Sequence, residues 1–521
     1  MARRFKTADY AATLEVQVRL GDCLPPEHLA RFVVDAVGVL DLSAIHARYG
    51  AKGGEPYAPA LLVGVLFSGY VTGVFSSRKL ERATYESIPF RYVAGNLHPD
   101  HDTLAHFRRT LLPEVREAFV QILLVAQQVG VLDLAVVSQD GTKVHANASK
   151  SRAVSYQRLL ELAPQVRAEV ETLLALAEQA EQQDLPAGLD VAGEVARRQE
   201  RLAQLALAKA VLEERAAQRH AAEQAAYEAK LAERAAKTAR TGKRPGGKAP
   251  VPPTPGPRDT DQYNFTDPES RIMKNGTDAG FNQHYNGQVV VEQASLLVVG
   301  NTLSNHPTDQ QEVEPTLDAI PPALGTPQAA ALDAGYFSCA NIRACEERGI
   351  EPYIAPGREA HQQTLAQLLA PAAAPPSVGA TPREQMAAKL QTAEGRAIYR
   401  ARKRTVEPVI GIIKEALGFR RFSLRGQEAA AGEWCLVCLA YNLKRLHVLL
   451  GGMLPTVALA QAAQRRDLAP RVALRLARWW LPRLQRQLVA HLFQQRSGDA
   501  TRRRSAPYST PPPLSFSPTG C

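Results

Sequence analysis

Up to about residue 130 apolar residues recur at helical spacing. Leu61, Leu62, Val65 and Leu66 form one set, and Val115, Phe119, Ile122 and Leu123 another. The string HPDHDTLAHFRRTLLPEV (98–115) joins two such helices, with Asp102 or Thr103 as the expected N-cap ahead of Leu104. From Leu132 the period changes. LDLAVVSQDGTKVHAN (132–147) alternates like a strand on both sides of Asp140-Gly141, which predicts a hairpin. Residues 152–236 return to helical spacing, with Leu202, Leu205, Ala208 and Leu212 three or four apart and LPAG (185–188) as a break. Two antiparallel helices fit that pattern. Residues 241–258 form a Pro/Gly-rich basic linker.

Strand patterning resumes at GQVVVEQASLLVVGNT (287–302), as two strands around a short turn. Gln310–Ile320 is helical, AAALDAGYF (329–337) is a buried strand ending near Asp333, and CANIRACEERG (339–349) is a helix with a glycine C-cap. EPYIAP (351–356) is a fifth strand. A helix near 405–417 and a long apolar helix at 433–450 complete the pattern. With 152–261 set aside as an insertion, the order is strand, strand, strand, helix, strand, helix, strand, helix. That order predicts an α/β fold, a mixed sheet flanked by helices, in the arrangement of a ribonuclease-H-like core. The expected organisation is an all-α N-terminal domain (1–130), the core (131–151 plus 262–450), an inserted helical hairpin with its linker (152–261), and an arginine-rich helix and disordered tail (451–521).

Composition narrows the partners. The 521 residues are 45% hydrophobic and 22% charged, which is globular. Six cysteines are too few for a disulfide scaffold and point to reduced thiols in a cytoplasm. The N-terminus lacks the apolar region of a signal peptide. Tyr57–Ser77 carries no charge, but its glycines and hydroxyls make it a buried helix rather than a membrane span. The formal charge is +10, and eleven arginines against two acids lie between Arg465 and Arg504. Lys237, Arg240, Lys243, Arg244 and Lys248 form a second cluster. Clustered cations of this kind suit a polyanion, most economically nucleic acid, although solvated surface charge gives the same pattern. No GxxxxGK[ST] phosphate loop is present, which argues against a nucleotide-driven motor, and no nucleotide cofactor is expected.

Three acids stand out by position: Asp140 and Asp333 at predicted strand ends, and Glu407 at a helix start. Carboxylates at strand ends of an open α/β sheet face the crevice where ligands bind. Converging there, they would raise one another's pKa unless a cation lay between them, and oxygen-only donors select a hard ion, Mg²⁺ or Mn²⁺. Two such ions can serve an in-line phosphoryl displacement. Singly, each acid is as well explained as a turn residue or a helix-start charge. Pro408 places the helix start near Thr405, a suitable N-cap, so that Glu407 lies in the first turn and Lys414 two turns along the same face. Cys435 and Cys438 make a lone CxxC without a second pair and read as buried thiols; His98, His101 and His106 suit capping or packing. Trp479-Trp480 more simply anchor their helix than stack on bases.

The set SQDGTKVHANAS (138–149), TDPESRIMK (266–274), HYNGQVVVE (284–292), LDAGYFS (332–338), TVEPVIGIIKEALGFRRFSLRG (405–426) and CLAYNLKRL (438–446) resembles DDE transposases of bacterial insertion sequences. The resemblance implies that Asp140, Asp333 and Glu407 are a catalytic, metal-binding triad for two Mg²⁺ or Mn²⁺ ions. It implies that the helical N-terminal domain binds DNA ends. One branch of the family carries a Y-x2-R-x3-E-x6-K signature. Glu407 and Lys414 fit it, whereas Arg402 has the right spacing to Tyr399 and Lys403 the right spacing to Glu407. Tyr399, Arg402, Lys403 and Lys414 are the implied DNA-binding residues. The implied partners are double-stranded DNA, as terminal inverted repeats and target, and a second copy of the chain in a synaptic complex. The implied setting is a bacterial cytoplasm, at the nucleoid, with no membrane partner. A metal-dependent nuclease on the same core and an inactive DNA-binding relic are the alternatives.

Overall fold

In the computed structural model the described residues are 18–49, 55–179, 190–243, 246–274, 280–357 and 380–464. Those up to Ala458 belong to one compact unit, and a second begins at Leu459. The arginine-rich stretch from 465 onward, Trp479 and Trp480 included, lies outside the described residues.

The N-terminal part is helical: α1 (Leu29–Val39), α2 (Ser43–His46), α3 (Pro59–Thr72), α4 (Ser77–Glu86), α5 (Ile88–Val93), α6 (His101–Thr110) and α7 (Leu112–Gln128). The uncharged stretch forms α3, buried from Leu62 through Val71 and closed by Gly73 at φ 80°. No single helix among the described residues is long and apolar enough to cross a membrane. The cap of α6 is Asp100, whose carboxylate accepts the Thr103 N–H, and not Asp102 or Thr103 as the pattern suggested.

The sheet is mixed. Its strands are β1 (Val136–His145), β4 (Arg271–Lys274), β5 (Phe281–Glu292), β6 (Val298–Ser304), β7 (Ala329–Leu332) and β8 (Glu351–Ile354); the short β2 (Ala153–Ser155) and β3 (Gln262–Asn264) pair separately. Across the main sheet the order runs β6, β5, β1, β7, β8, with β4 also on β5. β5 is antiparallel to both β1 and β6, while β1, β7 and β8 are parallel.

The hairpin expected at Asp140-Gly141 does not form. β1 is one continuous strand, paired with β5 from Val137↔Glu292 to His145↔His284 without interruption. The glycine serves close approach rather than a turn. A Cβ at Gly141 would strike Gln288 Nε2 and lie 2.6 Å from Asp309 Oδ1. Turn chemistry and tight packing both favour glycine, and only the fold distinguishes them.

Helices flank the sheet. α10 (Val313–Asp318) and α11 (Cys339–Glu347) follow β6 and β7. α12 (Pro382–Gln391), α13 (Ala393–Lys403) and α14 (Val406–Gly411) follow β8, and α14 runs on as a π-helical turn over Ile412–Ala416. α15 (Gln427–Leu449) is buried on most of its faces, packing on β6, α7 and α3, so it joins the helical part to the sheet. Its Glu433 accepts the N–H groups of Ser423 and Leu424 at 2.8 and 3.0 Å and the Tyr70 hydroxyl of α3 at 3.0 Å. α16 (Pro455–Gln464) closes the described chain. Between β1 and β4 the chain forms α8 (Tyr156–Gln179) and α9 (Val191–Thr241), antiparallel over their buried stretch, with β2 and β3 at the base.

Candidate active site

Each acid is held by a different element. Asp140 lies mid-strand in β1, not at a strand end as the pattern suggested. Its Oδ1 accepts the Gly141 N–H at 2.8 Å, and its Oδ2 accepts from Arg402 Nη1 at 3.1 Å. Asp333 follows β7 and caps the 3₁₀ turn Ala334–Tyr336, accepting the Gly335 N–H at 2.8 Å. The parallel pairing Ser138↔Ala331, continued by two residues, sets Asp333 beside Asp140. Glu407 occupies the first turn of α14, half-exposed, with Oε1 3.5 Å from Arg402 Nη2.

Arg402 pairs with two of the three, Asp140 and Glu407, and Asp333 reaches it through charge alone. The arginine ends α13, its side chain only 7% exposed, and the guanidinium lies 5.8 Å from the Tyr399 ring centre. Burial pulls its pKa down, but Asp140, Tyr399, Asp333 and Glu407 together hold it above the ordinary arginine value. The same field acts on Asp140. Burial pushes its carboxyl up to about 6; Arg402 and the Gly141 N–H oppose this, and Asp333 and Asp309 reinforce it. Desolvation is therefore the dominant cause, with like charge adding to it.

Residues 250–443 match the family model "Transposase DDE domain", and residues 18–110 match "Transposase domain (DUF772)". Together the two matches span more than half of the chain. This chain is an insertion-sequence DDE transposase. No curated protein and no solved structure matches it. Its partner is DNA, which it cleaves and transfers. Asp333 and Glu407 lie inside the first match, and Asp140 lies between the two.

A DDE transposase uses divalent metal. The donor chemistry here fits a hard cation: three carboxylates, one of them desolvated and incompletely neutralised by a single guanidinium. Two of the acids, Asp140 and Glu407, nevertheless pair with Arg402 rather than meeting Asp333 at a shared point. Among the described residues no three His, Cys, Asp or Glu side chains stand close enough to hold an ion. Arg402 supplies the positive charge in this arrangement, and its Nε is buried without a hydrogen-bond partner.

The transposase's other candidate residues separate. Arg402 reaches the acids although its spacing to Glu407 is one residue too long for the signature. The interruption between α13 and α14, at Arg404 and Thr405, absorbs the extra residue. Lys403, which has the right spacing, is exposed. Thr405 does not cap α14; its hydroxyl lies 2.9 Å from the Ala401 and Arg402 carbonyl oxygens and 3.1 Å from Ser138 Oγ of β1. Lys414 falls in the π-turn and donates to the Lys143 carbonyl of β1 at 2.9 Å. It is thus fixed on the strand that bears Asp140 but three residues further along. Burial, then Arg420, lowers its pKa.

Asp309 was not among the sequence candidates, and nothing local in NHPTDQQE marks it. Its Oδ1 accepts from Asn286 and Gln288 of β5, both at 2.8 Å, and Gln288 in turn accepts the buried Tyr336 hydroxyl. This layer lies against Gly141 and brings a fourth carboxylate into the field of Asp140. Elsewhere, Cys435 and Cys438 are buried thiols, with burial pushing Cys435 up to about 12. His101 bonds Glu81 at 2.7 Å and His98 bonds Thr84 at 3.1 Å, both packing roles within the helical part.

Proposed function

We propose that this transposase cleaves phosphodiesters at insertion-sequence ends and joins the freed 3′-hydroxyl to target DNA by in-line transesterification. Asp140, Asp333 and Glu407 are the catalytic acids and would hold two Mg²⁺ or Mn²⁺ ions. When bound, such ions supply Lewis acidity at the attacking and leaving oxygens. The strand order β6, β5, β1, β7, β8, with only β5 reversed relative to its neighbours, supports a ribonuclease-H-like core. The single observation that supports the site is the pairing of Arg402 with Asp140 and Glu407, with Asp333 set beside Asp140 by the β1–β7 pairing and within the same electrostatic field.

In the first stage a water oxygen bonds to phosphorus as the 3′-oxygen leaves. In the second that 3′-hydroxyl attacks a target phosphodiester and displaces another 3′-oxygen. One phosphodiester is exchanged for another in the second stage, so no nucleotide is needed. The chain's own residues position the strands and balance charge. Arg402, Lys403 and Lys414 would hold phosphate oxygens near the cleaved bond, with Tyr399 packed against Arg402; Lys414 keeps the spacing of the Y-R-E-K type signature to Glu407, and Arg402 stands one residue farther from Glu407 than that signature requires. The helical N-terminal domain would bind the DNA end, and a homodimer would hold two ends together on nucleoid DNA.

The test uses the full chain with a pre-cleaved element end and a plasmid target in Mg²⁺. Joined product is expected, and Asp140→Asn, Asp333→Asn and Glu407→Gln should each abolish it while retaining DNA binding. Cleavage without joining would favour a nuclease. Unimpaired joining by any of the three variants would remove that acid from the site.

A further inference from the structure

The inserted arm divides into two unlike halves. Near its base, α9 packs on α8 through Leu205, Ala208 and Leu212, against Leu159, Val166 and Tyr263. Its last buried residue is Ala216. Between there and Thr241 no residue is buried, so the helix extends about 37 Å further at 1.5 Å per residue. A helix of such length without a packed face draws little stability from tertiary burial.

The return segment lies along it. Arg219 bonds Asp261 at 2.9 Å and the Gly256 carbonyl at 3.3 Å, Arg258 bonds Glu223 at 3.0 Å, and Arg234 donates to the Lys248 carbonyl at 3.5 Å. In the inner half, therefore, charges of both signs meet. The outer half differs. Residues 229–248 hold seven Lys and Arg and a single acid, Glu233. Lys230, Lys237, Arg240, Lys243 and Lys248 are all exposed. Cations in a last helical turn complement the macrodipole. That accounts for Arg240, but not for Lys230 two to three turns earlier or for Lys243 and Lys248 past the helix end.

We propose that the outer half of this arm is a sequence-independent DNA-backbone clamp. It grips duplex flanking the element end through the phosphate charges that Lys230, Lys237, Arg240, Lys243 and Lys248 neutralise. This rests on the transposase reading. The arm leaves the core through β2, shortly after β1. Its exposed reach of about 37 Å equals roughly 11 base pairs at 3.4 Å each, so the clamp engages DNA about one helical turn from the arm's packed base. The cations carry the contact, and the affinity is therefore set by counterion release.

The test measures binding of the full chain to a random-sequence duplex of about 30 base pairs, by fluorescence anisotropy between about 50 and 200 mM salt. The variant replaces Lys230, Lys237, Arg240, Lys243 and Lys248 with Ala, a strong helix former that keeps the helix intact by circular dichroism. Neutralising five contacts should flatten the slope of log K against log salt by about 4.5, at roughly 0.9 per phosphate. A second variant, with Arg at the four lysines, should keep the wild-type slope. Equal slopes for wild type and the Ala variant would overturn the clamp, and the more so if the Ala variant instead changed oligomeric state by light scattering, which would assign the arm to a protein partner. A wild type that binds no duplex would overturn the transposase reading and the clamp with it.

Discussion

Arg402→Gln should destabilise the core far more at pH 8 than at pH 5, without metal or DNA. In the native state Asp140 titrates at about 6 against an ordinary 3.8. A raised carboxyl favours the native state only while protonated. That contribution is complete below about 4 and is lost as pH rises through about 6. Two pKa units correspond to about 3 kcal/mol, which is the order of the cost of keeping Asp140 ionised at pH 8 with Arg402 still in place. Removing the guanidinium deletes the largest influence opposing that rise. Breaking a buried pair from one side costs about 3–5 kcal/mol, so a loss of that size is expected at pH 8. At pH 5 Asp140 is already mostly neutral. The loss there should fall to about 1 kcal/mol, the worth of an ordinary hydrogen bond. Urea unfolding of wild type and variant at both pH values, in chelator, measures the difference. Equal losses at pH 5 and pH 8 would refute the placement of Arg402 as the counter-ion of a desolvated Asp140.

Gly141→Ala should cost about 1–3 kcal/mol by thermal unfolding, because the new methyl collides with Gln288 and crowds Asp309; a variant as stable as wild type would show that the layer yields freely. Glu433→Leu should cost about 3 kcal/mol, leaving the Ser423 and Leu424 N–H groups and the Tyr70 hydroxyl without their acceptor. Tyr70→Phe, which removes only one of those partners, should cost about 1 kcal/mol by the same measurement. Mn²⁺ affinity, followed by titration calorimetry, should be flat above pH 7 and fall about tenfold per unit below pH 6, since a ligand carboxyl must be ionised to bind; constant affinity down to pH 5 would exclude Asp140 as a ligand.

Much of the core was legible because its signals are local. The run AAAL before Asp333 is fully buried as β7, and the apolar run predicted at 433–450 forms most of α15, buried from Glu433 to Leu443. The Leu202 to Leu212 spacing likewise gave the helical arm. What failed depended on partners distant in sequence. Asp140-Gly141 has turn composition, yet β5 pairs straight through it, and the glycine answers to Gln288 and Asp309. Spacing alone divided the basic position between Arg402 and Lys403. The break between α13 and α14 is what turns Arg402 inward. Asp309 had no local signature, since its partners lie on β5.

The proposed site requires carboxylates 140, 333 and 407 to share divalent ions once Arg402 yields its place. Anomalous diffraction from crystals of the full chain grown with Mn²⁺ tests it most directly. Peaks bonded to oxygens of Asp140, Asp333 and Glu407, with Arg402 withdrawn from Asp140, are the expected result. Ordered Mn²⁺ elsewhere, with the Arg402–Asp140 bond intact, would contradict it.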